Sequence, residues 1–178
     1  MPRHGTASAA SRSATRNPAA PPPQLIRAAS HSPPSLQAGI GFTCLPKLKR
    51  EDEVDFYGAA ALRQQRAAGL QRRLVTLVLD EPGGPTGTAP PLHGGEGLLR
   101  DGECVGIVRS TAYGHSLGKT IVTGYVEAPA GVPKVTPKWL REGSWAVSSK
   151  LQKVVQATLH LKSPFDPEGK RMRGEYDA

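Results

Sequence analysis

Cysteine is scarce in this chain: Cys44 and Cys104 are the only two among 178 residues. Two thiols cannot build a disulfide framework, and neither sits in a CxxC or Cys/His metal spacing, so a reduced compartment is expected. Aromatic residues make up 5% of the chain, which leaves few rings on which nucleobases could stack. No apolar run approaches the roughly 18 residues that a membrane-spanning helix needs, so a soluble or peripheral protein without a membrane partner is expected. No G-x-G-x-x-G occurs, which removes the dinucleotide-binding fingerprint. Acid is absent from the first fifty residues, a stretch that holds Arg3, Arg12, Arg16 and Arg27. Those four arginines, all within residues 1–46, supply about half of the net charge of +8, and the remainder of the chain is only mildly basic.

Residues 1–46 are rich in Ala, Ser, Pro and Arg, with Pro21 to Pro23 in a row. Such a stretch buries too little apolar surface to offset a chain entropy of about 1–2 kcal/mol per ordered residue, so a disordered tail is expected. Arg- and Ser-rich and acid-free, it also has the composition of a mitochondrial transit peptide, although its prolines oppose the amphipathic helix of such peptides. The other reading is an unstructured tail with no address and a cytoplasmic protein.

Residues 47–178 read as one domain. A short helix is expected with Asp55 as N-cap, continuing through Ala59 to Ala61, Leu62 and the QQR stretch, and stopping at Gly69. LVTLVL at Leu74 to Leu79 is an apolar, β-branched run suited to a strand covered on both faces. The next segment, Glu81 to Gly95, carries four prolines and five glycines and reads as a long surface loop. Strand patterns then recur around Leu98, at Glu103 to Ser110, Thr120 to Glu127, Ser144 to Ser149 and Lys153 to Leu161. Asp101-Gly102 is the strongest hairpin signal. One helix followed by several short strands predicts a mainly β fold, a small antiparallel barrel that disposes of its strand edges by closure.

Few residues carry chemistry. Gly118-Lys119-Thr120 matches the end of a phosphate-binding loop, but the glycine required five positions earlier is Tyr113, and the following residues have a strand pattern. A β-hairpin loop is the expectation there. No pair among His4, His31, His93, His115 and His160 has the spacing of a helical zinc site. His160 falls opposite Val155, Ala157, Leu159 and Leu161 in the strand alternation and is expected on the solvent side. His115 is expected at the surface of the hairpin loop, and Cys104, beside Val105, as a small core residue. Two basic clusters, Arg63, Arg66, Arg72 and Arg73, and Lys170, Arg171 and Arg173, contain no interleaved aromatics. This argues for solvated or interdomain surfaces rather than a nucleic-acid partner.

Three segments carry a family resemblance. DFYGAAAL at Asp55 to Leu62 is similar to an Asp-Phe-Ile-Gly-Arg-x-x-Leu pattern, with Tyr57 in place of Ile and Ala59 in place of Arg. LLRDGECVGIVRSTAYGHSLGKTIVTGYV, from Leu98, resembles the hairpin of the same family, and LKSPFDPEGKRMRGEY, from Leu161, resembles its C-terminal end. Together they resemble the last domain of the mitochondrial sarcosine and dimethylglycine dehydrogenases, which is shared with the aminomethyltransferase of glycine cleavage. The resemblance implies an aminomethyltransferase C-terminal barrel. It also implies a mitochondrial matrix setting, and one-carbon chemistry that oxidises an N-methyl amine and passes the carbon to tetrahydrofolate. FAD would be bound upstream, so no cofactor is expected on this chain alone, and the barrel would help close a folate pocket without catalysing. The partners implied are upstream flavoprotein and folate domains or a partner enzyme. The residues flanking the hairpin loop, Arg109, Tyr113 and Lys119, are the candidates to face folate. A second reading is a non-enzymatic regulatory protein similar to the pyruvate dehydrogenase phosphatase regulatory subunit, which resembles the same family.

Overall fold

The computed structural model describes residues 36–48, 56–84, 87–151 and 153–175. Six strands form a closed, wholly antiparallel barrel in the order β1-β4-β3-β2-β5-β6, with β6 returning to β1. They are β1 (Arg72–Pro82), β2 (Gly97–Arg100), β3 (Glu103–Gly114), β4 (Lys119–Glu127), β5 (Trp145–Ser148) and β6 (Val154–His160). Strands β2, β3 and β4 follow one another as hairpins, and the long connection after β1 lets β1 lie beside β4, a Greek-key arrangement. Closure pairs every strand on both sides and leaves no exposed edge.

The registers follow from alternation and turn chemistry. Leu77, Leu79, Leu98, Val122, Val126, Val147 and Val155 all project into the barrel and are fully buried. Burying a side chain of this size contributes about 1.5–3 kcal/mol each. The β2–β3 hairpin turns on Asp101-Gly102, with φ of 51° and 85°, between the paired residues Arg100 and Glu103. Two left-handed residues in a row define the tight turn whose twist suits a two-residue hairpin. Gly124 faces inward opposite Val75 and Val108. A Cβ there would overlap the Ile107 carbonyl and crowd Leu98, so the Leu98 side chain occupies the space glycine leaves open.

The helices lie toward one end of the barrel, where Leu140 of the last of them joins the core. Helix α1 (Leu45–Leu48) and α2 (Ala59–Ala68) precede β1, and α3 (Pro137–Glu142) lies between β4 and β5. The helix expected before β1 is α2, and Gly69 stops it as expected. Its N-cap is Gly58, in a left-handed conformation, while Asp55 lies outside the described residues. Six residues are too few to show a helical period, so the only sequence mark of α3 is its start, Thr136-Pro137. Thr136 caps it by accepting the Trp139 N–H at 3.1 Å, and Pro137 opens it.

The expectation of disorder through residue 46 needs correction from residue 36 onward. Gly41–Thr43 is a 3-10 turn, α1 follows it, and Leu36 and Leu48 are buried. The Gln37 carbonyl accepts the Leu74 N–H at 2.7 Å, tying this segment to β1. Leucines at 36, 45 and 48 supply the apolar surface that the Pro/Ser/Arg composition as a whole obscures. Residues 1–35 lie outside the described residues. The expected Pro/Gly loop is present but starts later, because β1 runs on to Pro82, and it is anchored from within by buried Leu92.

Candidate functional site

The end of the barrel formed by the β3–β4 hairpin gathers two of the three candidate residues. Tyr113 pairs with Thr120, and Gly114 pairs with Lys119, which also faces Pro82 of β1. The turn is closed by the Leu117 and Gly118 N–H groups donating to the Gly114 carbonyl, both at 2.9 Å. The Tyr113 ring lies against Gly83 and Gly84, where any Cβ would press on it. It meets the His115 ring edge-on at 4.8 Å between centroids. A phenol and an imidazole therefore share one partly solvent-facing corner, while Lys119, in the next pair of the ladder, lies on the other face of the hairpin, with no helix after it to cradle a phosphate. This is the hairpin expected from the sequence, and His115 is exposed as expected.

Arg109 stands apart. It occupies the bulge in β3 between the pairs Val108–Gly124 and Ser110–Thr123, four residues and about 13 Å along the strand from Tyr113. A bulge adds one residue on one side of the ladder and re-aims the side chains beyond it. Beside Arg109, the turn at His93 to Glu96 is fixed by the Glu96 carboxylate, which accepts the His93 and Gly94 N–H groups at 2.8 Å each. Glu96 is 2% exposed, and its carboxylate is satisfied by its own turn. An acid next to the paired glycines Gly94 and Gly95 is the sequence signal for such a turn.

Other titratable groups divide between the two ends of the barrel. At the hairpin end, Lys153 Nζ donates to Glu81 at 2.7 Å and holds that carboxyl below its ordinary range. At the other end, the backbone N–H and hydroxyl of Ser144 donate to Asp101, with Arg100 adjacent, and lower its pKa in the same sense. Cys104 is half-buried in β3, and burial pushes its thiol above the ordinary value, the opposite of what a reactive thiolate requires. His160 is half-buried on the outer face of β6, in the direction expected. Among the described residues no group of three or more His, Cys, Asp or Glu could hold a metal ion, and no helix is long and apolar enough to cross a membrane.

The architecture is that of a small closed Greek-key β-barrel domain with one helix-capped end. Residues 72–166, just over half of the chain, match the family described as the glycine cleavage T-protein C-terminal barrel domain, and the chain belongs to that family. The mitochondrial sarcosine dehydrogenases of Mus musculus and Homo sapiens are each 40% identical over 141 residues, 79% of this chain and 14% of theirs. The mitochondrial pyruvate dehydrogenase phosphatase regulatory subunit of Mus musculus is 34% identical over 80 residues, 45% of this chain and 9% of its own. Among solved structures, the glycine cleavage system aminomethyltransferase T from Bartonella henselae superposes with a TM-score of 0.53 at 24% identity, over 75% of this chain and 32% of that one. That likeness establishes the fold. The chain spans about one seventh of the length of the sarcosine dehydrogenases it matches.

Proposed function

We propose that this chain is the C-terminal barrel of a sarcosine-dehydrogenase-type protein of the mitochondrial matrix, that it completes a folate pocket, and that it performs no oxidation by itself. The observation that carries this reading is the 40% identity to sarcosine dehydrogenase over 141 residues. In that role Tyr113 and Lys119 flank the hairpin loop turned toward the ligand and reach it from the two faces of the hairpin. The phenol offers a stacking face and a hydrogen-bonding group, and the ammonium offers charge to a carboxylate. Arg109, further along the strand, would meet a different part of the ligand. In the whole protein, flavin chemistry on an N-methyl amine releases a one-carbon unit to tetrahydrofolate. This chain supplies packing and polar contacts to that transfer. The test is sarcosine-dependent dye reduction by the purified chain. A rate equal to that of a heat-killed control is expected, and turnover well above it contradicts the reading.

A second reading, a regulatory subunit without oxidation chemistry, is favoured by the likeness to the pyruvate dehydrogenase phosphatase regulatory subunit. Co-purification of a phosphatase with the tagged chain supports it, and a strictly monomeric profile counts against it.

A further inference from the structure

The hairpin end holds the Tyr113 ring by apolar contacts and leaves its hydroxyl free. One part of the phenol rests on the backbone of Gly83 and Gly84. A Cβ on Gly83 would stand 3.1 Å from the ring and 2.8 Å from the Thr120 backbone nitrogen. A Cβ on Gly84 would stand 3.1 Å from the ring and 3.4 Å from the phenol oxygen, and the φ of 81° at Gly84 also disfavours a side chain. The His115 ring supplies a second contact, at 81° to the phenol with 4.8 Å between centroids, the edge-on arrangement that aromatic pairs favour. His115 follows directly on β3, in the turn whose backbone closes on the Gly114 carbonyl. Its ring is therefore carried by a main chain that is itself tied down.

Tyr113 is nevertheless 36% exposed, and among the described residues its hydroxyl has no hydrogen-bond partner. The ring nitrogens of His115 have none either. An exposed tyrosine on a hairpin turns among rotamers, and a ligand that meets it must first arrest that motion at a cost in affinity. A ring already held between a glycine floor and an imidazole has lost that freedom before the ligand arrives. We propose that His115 is a positioning residue: it fixes the Tyr113 phenol in the orientation that meets the ligand, and it acts through that ring rather than through its own nitrogens. The inference rests on the folate reading of this end and adds to it the residue that prepares the contact.

Calorimetric titration of the full chain with tetrahydrofolate, as a double-mutant cycle, tests this. His115→Ala is expected to weaken binding about threefold, as for one side chain left to be arrested by the ligand. His115→Phe keeps a ring in the edge-on position and is expected to bind within about twofold of the parent. Tyr113→Ala is expected to weaken binding about fivefold, and adding His115→Ala to it is expected to weaken binding no further. His115 is exposed in a turn held by backbone bonds, so these variants are expected to fold. Parent-like binding by His115→Ala would overturn the proposal. So would equal losses in His115→Phe and His115→Ala, which would give the imidazole a ligand contact of its own, or a further loss when His115→Ala is added to Tyr113→Ala. In each of these cases Tyr113→Ala still weakens binding and the folate reading stands. If Tyr113→Ala binds like the parent, or the parent does not bind, the folate reading of this end fails and the role of His115 fails with it.

Discussion

The two ends of the barrel are closed by different means. At the hairpin end closure is done by backbone: the β3–β4 turn folds on the Gly114 carbonyl, and Gly83 donates to the Gly118 carbonyl at 3.4 Å. The side chains there, Tyr113, His115 and Lys119, sit on that scaffold without plugging it. At the opposite end side chains do the closing. Leu140 of α3 is fully buried, Trp139 and Trp145 meet edge-on at 6.2 Å, and the Arg100 guanidinium lies 4.3 Å over the Trp139 ring. An end closed by backbone leaves its side chains free for a ligand, whereas an end closed by a plug spends its interior on stability and offers only its rim.

The sharpest way to break this contrast is Leu140→Ala. Emptying a fully buried leucine site at the plugged end is expected to cost about 2–5 kcal/mol in chemical denaturation. A cost below about 1 kcal/mol would mean that α3 is decoration. Next is Trp145→Phe, which strands the Leu140 carbonyl that now accepts the indole N–H at 2.9 Å; about 1–3 kcal/mol is expected. At the hairpin end, Lys119→Ala is expected to fall within about 0.5 kcal/mol of the parent, and a loss comparable with Leu140→Ala would erase the distinction.

Acid adds a finer comparison. Asp101 and Glu81 both have pKa values lowered in the folded state. The stability they contribute is present above their unfolded pKa values of about 4 and is lost as pH falls through the lower folded values. Asp101→Asn keeps a residue type that tolerates positive φ and is expected to flatten the acid side of a thermal-stability profile. Glu81→Gln is expected to do the same, but its effect shrinks when salt is added, because its leading partner is the exposed Lys153 ammonium. The Asp101 effect is expected to persist in salt, because its leading donors are the Ser144 N–H and hydroxyl. Equal salt sensitivity of the two would contradict the assignment.

These differences also mark what could be read from the chain. The strands were legible because alternation and turn residues act locally: Leu98, Val122 and Val155 announce an inner face, and Asp101-Gly102 announces a turn. Helix α3 was not, since its stability comes from Leu140 and the two tryptophans meeting the barrel, contacts set by the closed sheet. Of the candidate site, the placement of Tyr113 and Lys119 on the two arms of one hairpin followed from the turn. The separate position of Arg109 comes from a bulge, for which the sequence carries no clear mark.

The most direct test is a graft of residues 72–166 into mouse sarcosine dehydrogenase in place of its matching segment, with tetrahydrofolate-dependent one-carbon transfer and sarcosine oxidation measured separately. With Tyr113→Ala and Lys119→Ala together in the graft, the tetrahydrofolate KM is expected to rise about tenfold, as for the loss of about 1.4 kcal/mol of binding, while sarcosine oxidation stays unchanged. An unchanged tetrahydrofolate KM would contradict a folate-facing role for this end of the barrel, and loss of sarcosine oxidation in the same graft would contradict the claim that the barrel stands outside the oxidation step.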